Sequence, residues 1–204
     1  VASPLLGLFN VHNLLMAAAV GQVAGFTAGQ IASALATAPA VPGRMERLPA
    51  PEGVTILLDY AHKPEALRGA LQACRELAPE GRVLVVFGCG GDRDRGKRPL
   101  MGRIAALGAD EVFVTSDNPR SEDPEAIIAE ILAGIPDQAR ETAVVSEVDR
   151  PTALALAVGR ARSGDVVLVA GKGHEQYQIV GTERRPFDER AIVAAAVTTA
   201  GKGR

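Results

Sequence analysis

Five short runs of aliphatic, often β-branched residues recur along the chain, at residues 54–58, 83–87, 111–115, 143–146 and 165–170. Stretches with helical character separate them, over residues 64–77, 100–107, 125–132 and from Pro151 to about Arg162. Continuous apolar runs mark strands buried on both faces, and parallel strands need a crossover connection, usually a helix. The alternation therefore predicts an α/β fold: a doubly wound, Rossmann-like, mostly parallel sheet. Aromatic residues make up only 3% of the chain and Trp is absent, so its core must be aliphatic. Residues 177–180 and 184–187 around Gly181 read as a C-terminal hairpin, after which Asp188 caps a last helix. Upstream, residues 13–20 and 27–37 read as helices, and Thr27 and Gln30 have capping-box spacing. Residues 38–43 hold two prolines and a glycine and read as a linker. The expected organisation is thus a helical remnant of another domain plus linker at 1–41, and one α/β domain at 42–204.

Charge and cysteine content exclude several functions. Twenty-two basic against 24 acidic residues, a net charge of -2, argue against a nucleic-acid binder. Two cysteines are too few for a disulfide framework and point to a reducing, cytoplasmic setting. No apolar run reaches the roughly 18 residues of a membrane span. The chain opens at Val1 on small apolar residues, which reads as a piece of a longer protein. Residues 1–38 are then expected to expose apolar surface, and to dimerise or disorder.

The polar motifs share one position: each directly follows a strand. In open α/β sheets the ligand crevice lies at the carboxyl ends of the strands. Four such loops, residues 59–62, 88–98, 116–120 and 171–175, are expected to converge there. Residues 88–98 hold four glycines between a strand and a helix, three of them at the strand's end, as phosphate loops do. A dinucleotide fingerprint fails at Arg93, where a glycine is needed. A Walker-type reading from Gly91 to Lys97 meets Arg98 where Ser or Thr should hold magnesium, and Asp92 and Asp94 would repel phosphate. The competing reading is a solvated turn with self-paired charges. At residues 116–120 Asp-Asn-Pro is good turn chemistry. Arg120 and Arg93 facing Asp117 and Glu175 also suit a zwitterionic amino-acid end, since Arg grips a carboxylate through two hydrogen bonds. A salt-bridge network among the same four residues explains the charges equally well. Lys172 and His174 are weak candidates for acid–base work, and His62 either contacts a base or caps a helix. Cys89, without a His-Asp partner, reads as a packed residue, and no Cys/His spacing suggests zinc.

At these loops the chain resembles the C-terminal part of the Mur ligases, ATP-dependent amide ligases that build the peptidoglycan stem peptide. The matching stretches are Gly43-Arg44-Met45-Glu46, Asp59-Tyr60-Ala61-His62, residues 88–99, Asp117-Asn118-Pro119-Arg120 and Gly171-Lys172-Gly173-His174-Glu175. Residues 10–18, with Asn13 among them, resemble the end of the family's central ATPase domain. Among family members, the likeness is to those adding meso-diaminopimelate to UDP-MurNAc-L-Ala-D-Glu. The resemblance implies that Arg93, Asp117, Asn118, Pro119, Arg120, Gly171 and Glu175 bind the incoming diamino acid. It implies that Asn13, Arg44, Asp59 and His62 lie along the nucleotide site. ATP phosphorylates the D-glutamyl γ-carboxylate, and the diaminopimelate amine attacks the acyl phosphate. ATP and Mg2+ would be held mainly by the central domain, so this chain would carry neither catalytic residue nor metal ligand and would be inactive alone. Its expected contribution is positioning. Other readings are a free-standing nucleotide-binding module and a lysine- or ornithine-adding variant of the same ligase.

Overall fold

A computed structural model describes residues 3–137 and 144–202. Helices α1 (Leu8–Val23) and α2 (Ala28–Ala36) come first. The α/β unit follows as β1 (Glu46–Leu48), β2 (Thr55–Asp59), α3 (Pro64–Leu77), β3 (Val83–Phe87), α4 (Lys97–Gly108), β4 (Glu111–Val114), α5 (Pro124–Leu132) and β5 (Val144–Ser146). It closes with α6 (Arg150–Arg160), β6 (Val166–Ala170), the hairpin strands β7 (Tyr177–Val180) and β8 (Glu183–Pro186), and α7 (Glu189–Lys202).

Local chemistry explains the helix starts. The Thr27–Gln30 capping box forms in both directions. Pro64, Pro124 and Pro151 each occupy a first helical turn, where the missing N–H costs nothing. Asp123 and Asp149 cap α5 and α6 by accepting from backbone amides. Helix α4 begins at Lys97, ahead of the expected Leu100, because Asp94 Oδ1 accepts from Gly96 N at 2.9 Å and turns the chain there. Strand β8 starts one residue before the expected position, since Val180 pairs with Glu183 across a two-residue turn in which Gly181 has φ 59°. Ala143, expected to open β5, lies outside the described residues.

The six-stranded sheet has the order β1-β2-β6-β3-β4-β5. Strands β2 to β6 are all parallel; β1, which sequence patterning missed, pairs antiparallel on the edge. Strand β6 is last of the parallel set in the chain but sits between β2 and β3. That insertion makes the switch in strand order at which such sheets open a crevice. One face buries Leu57, Val85, Phe87 and Leu168 against Leu67, Met101 and Ile127 of α3, α4 and α5. The other buries Ile56, Val86, Phe113 and Val167 against Leu154 and Val158 of α6 and Val193 of α7.

Candidate functional site

The four loops predicted to converge follow β2, β3, β4 and β6, which are neighbours in the sheet. Together they line a cleft of about 850 Å³. Its walls include Tyr60, His62, Arg93, Lys97, Asp117, Asn118, Arg120, Gly171, Glu175 and Tyr177. Of the residues expected at a diamino-acid site, all but Pro119 line the cleft directly. Pro119 shapes it from behind: a Cβ on Gly91 would stand 1.9 Å from the Pro119 carbonyl, so only glycine lets the β3 and β4 loops approach this closely. The approach is locked by Gly91 N donating to Asn118 O at 2.9 Å.

Arg120 has φ 52°, a left-handed backbone held from both sides. Its amide donates to Ile179 O at 3.0 Å and its carbonyl accepts from Gly181 N at 2.7 Å, tying it to the hairpin. The Arg120 guanidinium donates to Gly91 O at 2.7 Å, and Arg93 donates to the carbonyl of its neighbour Asp92 at 3.0 Å. Among the described residues neither guanidinium has an ion pair. The four-residue salt-bridge network considered above therefore does not form, and two cations face the cleft with donors to spare.

The carboxylates belong to another partner. Lys172, fully buried, donates to Asn118 Oδ1 at 2.9 Å and to Tyr177 O at 2.8 Å. Its ammonium stands 3.3 Å from Asp117 Oδ1 and 3.9 Å from Glu175 Oε2. Burial pulls its pKa below the usual lysine value, against the opposing pull of Asp117. Asn118 accepts from Lys172 and Ile179 N and donates to Glu175 Oε2 at 3.0 Å, so both ends of its amide are used. Lys172 is the residue that sequence reasoning undervalued. The signal was its place one residue past a fully apolar strand, between two glycines.

In the loop at 88–98, amides that a phosphate would use are already bonded. Besides the bonded Gly91 amide, Asp92 N donates to Glu122 Oε1 at 2.6 Å and Gly96 N to Asp94 Oδ1. Lys97 reaches back to the His62 carbonyl at 2.8 Å, joining the β3 and β2 loops. The Walker-type reading gains no support, since these amides go to the Asn118 carbonyl, to Glu122 and to Asp94. Cys89 is buried against Met101, and burial pushes its thiol up to about 12, as befits a packed residue. Among the described residues no cluster of His, Cys, Asp and Glu is arranged to hold a metal.

The residues expected along a nucleotide site fall into two groups. Arg44 lies over the Tyr60 ring at 4.9 Å, and that ring makes tilted contacts with His62 and His174 at centroid distances of 4.6 and 5.0 Å. His62 Nδ1 lies 2.8 Å from Tyr60 O, which assigns the proton to Nδ1 and leaves Nε2 as an acceptor. Asp59 is buried beneath them. Its carboxylate accepts from Met45 N at 2.9 Å, and burial raises its pKa. It fastens residues 43–45 to the sheet edge, where a Cβ on Gly43 would meet the Gly173 backbone at 2.4 Å. Asn13 is separate: it is exposed on α1 and donates to Asn10 Oδ1 at 3.1 Å.

Two relatives are similar over most of this chain. One, from Thermosynechococcus vestitus, is 53% identical over 92% of the chain and carries the name UDP-N-acetylmuramoyl-L-alanyl-D-glutamate–2,6-diaminopimelate ligase. A Geobacillus kaustophilus protein of the same name is 48% identical over 98% of the chain. The chain spans about two fifths of the length of these relatives, 37% and 40%. A solved structure of a ligase of that name superposes with a TM-score of 0.76 at 40% identity, covering 98% of this chain and 40% of the other. The sequence model of the family "Mur ligase, glutamate ligase domain" matches residues 43–173. That match runs from the fastened edge at Gly43 through three of the cleft loops and into the fourth, and by it the chain belongs to the Mur ligase family.

Proposed function

We propose that this chain is the C-terminal part of an ATP-dependent amide ligase that adds meso-diaminopimelate to UDP-MurNAc-L-Ala-D-Glu, and that its cleft binds the incoming diamino acid. One observation carries the reading. Among the described residues, Arg93 and Arg120 line the cleft without an ion pair, in the same cavity as Asp117 and Glu175. The guanidiniums suit the far carboxylate of diaminopimelate, and the acids suit its far ammonium. Holding that end aims the other amine toward an acyl phosphate formed elsewhere, so the contribution to rate is positioning. The relatives' printed names support the choice of diamino acid and dipeptide.

Within this reading residues 1–41 belong to the neighbouring ATPase domain and 42–204 form the diamino-acid domain. ATP and Mg2+ are cofactors of the whole ligase. The amides of Gly91, Asp92 and Gly96 are committed internally, and among the described residues no His, Cys, Asp and Glu cluster is arranged for a metal, so this loop is not suited to hold the triphosphate and its metal. The shelf of Arg44, Tyr60 and His62 is the part suited to a nucleotide's edge, with Asp59 as its support. Asn13 would reach that site only from the ATPase side. A UDP-linked substrate and ATP place the ligase in the cytoplasm. Calorimetric titration with meso-diaminopimelate tests the reading. Binding should fall by roughly 10- to 100-fold in Arg120→Ala, as expected on losing a charged hydrogen bond. Lysine, lacking the far carboxylate, should bind more weakly by orders of magnitude. Equal binding of lysine and diaminopimelate would refute the role of the guanidiniums.

A further inference from the structure

Beneath the cleft, charged side chains from four parts of the fold alternate in sign. Glu189 of α7 accepts from Arg150 Nε at 2.7 Å, with both side chains buried. Arg150 also donates to Ala170 O at 2.8 Å, at the end of β6. That pair is neutral by itself. The remaining three, Asp117, Lys172 and Glu175, are two acids and one base at the cleft floor.

We propose that Lys172 is a positioning residue that acts as a resident counter-ion: it cancels one of the two carboxylate charges of Asp117 and Glu175 and leaves the cleft a single negative charge, matched to one ligand ammonium. This rests on the reading that the cleft takes a diamino acid. The geometry divides each carboxylate in two. Asp117 Oδ1 and Glu175 Oε2 turn toward Lys172. Glu175 Oε1 lies instead 3.4 Å from the Tyr60 hydroxyl on the cleft wall. Asp117 Oδ2 flanks Gly171, where a Cβ would stand 3.2 Å from it, and φ 116° at Gly171 independently disfavours any side chain. Lys172 has no exposed surface, so it does not compete for ligand. Asp117 is buried and Glu175 half-buried, and without a cation between them the two carboxylates would repel.

Charge counting gives a test that a merely structural lysine fails. In Asp117→Asn the floor becomes neutral, because Lys172 now balances Glu175 alone, and meso-diaminopimelate should bind roughly 10- to 100-fold more weakly to the 204-residue chain. Adding Lys172→Met restores one negative charge, and the double variant should regain most of the lost affinity. A double variant that is folded by urea titration yet binds no better than Asp117→Asn overturns the proposal. If wild type does not bind diaminopimelate, or Arg120→Ala binds as well, the functional reading fails instead. The counter-ion claim is then judged on unfolding alone. Asp117→Asn should raise the urea midpoint of Lys172→Met, or restore folding if the single variant does not fold, and no gain there would overturn the claim.

Discussion

Helix α1 and strand β6 are both rich in aliphatic residues, yet they end in opposite environments. Every residue of β6 is buried, whereas α1 buries none. On α1, Leu15, Met16 and Val20 are each more than 60% exposed, and Val23 is 90% exposed. Its apolar side chains are spread around the helix rather than gathered on one face, a pattern proper to a helix surrounded by protein. In β6 the same kind of residue meets helices on both faces. Hydrophobic content therefore indicates what a segment demands, and only the neighbouring elements decide whether the demand is met.

The largest effect that would sharpen this contrast lies in the buried charges behind β6. Glu189→Ala leaves the Arg150 guanidinium buried without its acid and should cost about 3–5 kcal/mol. Glu183→Gln, in an exposed pair with Arg185 on the hairpin, should cost less than about 1 kcal/mol. Urea unfolding of both variants checks the ratio, and similar costs would show that burial is not what separates them. Next comes the aliphatic comparison itself. Leu168→Ala, fully buried in β6, should cost about 2–5 kcal/mol. Leu15→Ala on α1 should stay within about 0.5 kcal/mol. A costly Leu15→Ala would mean that α1 is packed in solution, against a second copy or another protein. Smaller again is the cap of α2: Thr27→Ala should cost that helix about 1 kcal/mol, read as lost helical circular dichroism, with no change in the sheet.

The same contrast explains what the sequence made legible. Strands β2, β3, β4 and β6 could be read because burial on both faces leaves a run of aliphatic residues, and β5, only half-buried, by its short apolar run. Helix starts could be read where Thr27 with Gln30, or Pro151, carries its chemistry locally. The Glu-Arg-Leu of β1 has no such pattern: it is a short edge strand set in place by Asp59 gripping Met45 N. Convergence of the four loops was legible as a rule about strand ends. Who pairs with whom inside the cleft was not, because it depends on β6 inserting between β2 and β3. That insertion puts Lys172 beside Asp117, 55 residues earlier in the chain, and so frees Arg93 and Arg120.

The smallest expected effect concerns the base of α4, beside the cleft loops, where a buried cation meets half-buried acids. Arg98 is fully buried and donates to Glu122 Oε1 at 2.8 Å and to Glu130 Oε2 at 2.9 Å. The Arg98 guanidinium holds the Glu122 carboxyl down at about 2, from an ordinary value of 4.5. A carboxyl depressed in the folded state contributes stability above its unfolded pKa and loses it as pH falls through the folded one. The Glu122 contribution should therefore be complete above about pH 4.5 and fade toward pH 2. Glu122→Gln should lower stability at neutral pH and flatten the acid side of the stability–pH curve in that window. An equally steep acid limb in Glu122→Gln would assign the acid sensitivity elsewhere and leave Arg98 held chiefly by Glu130.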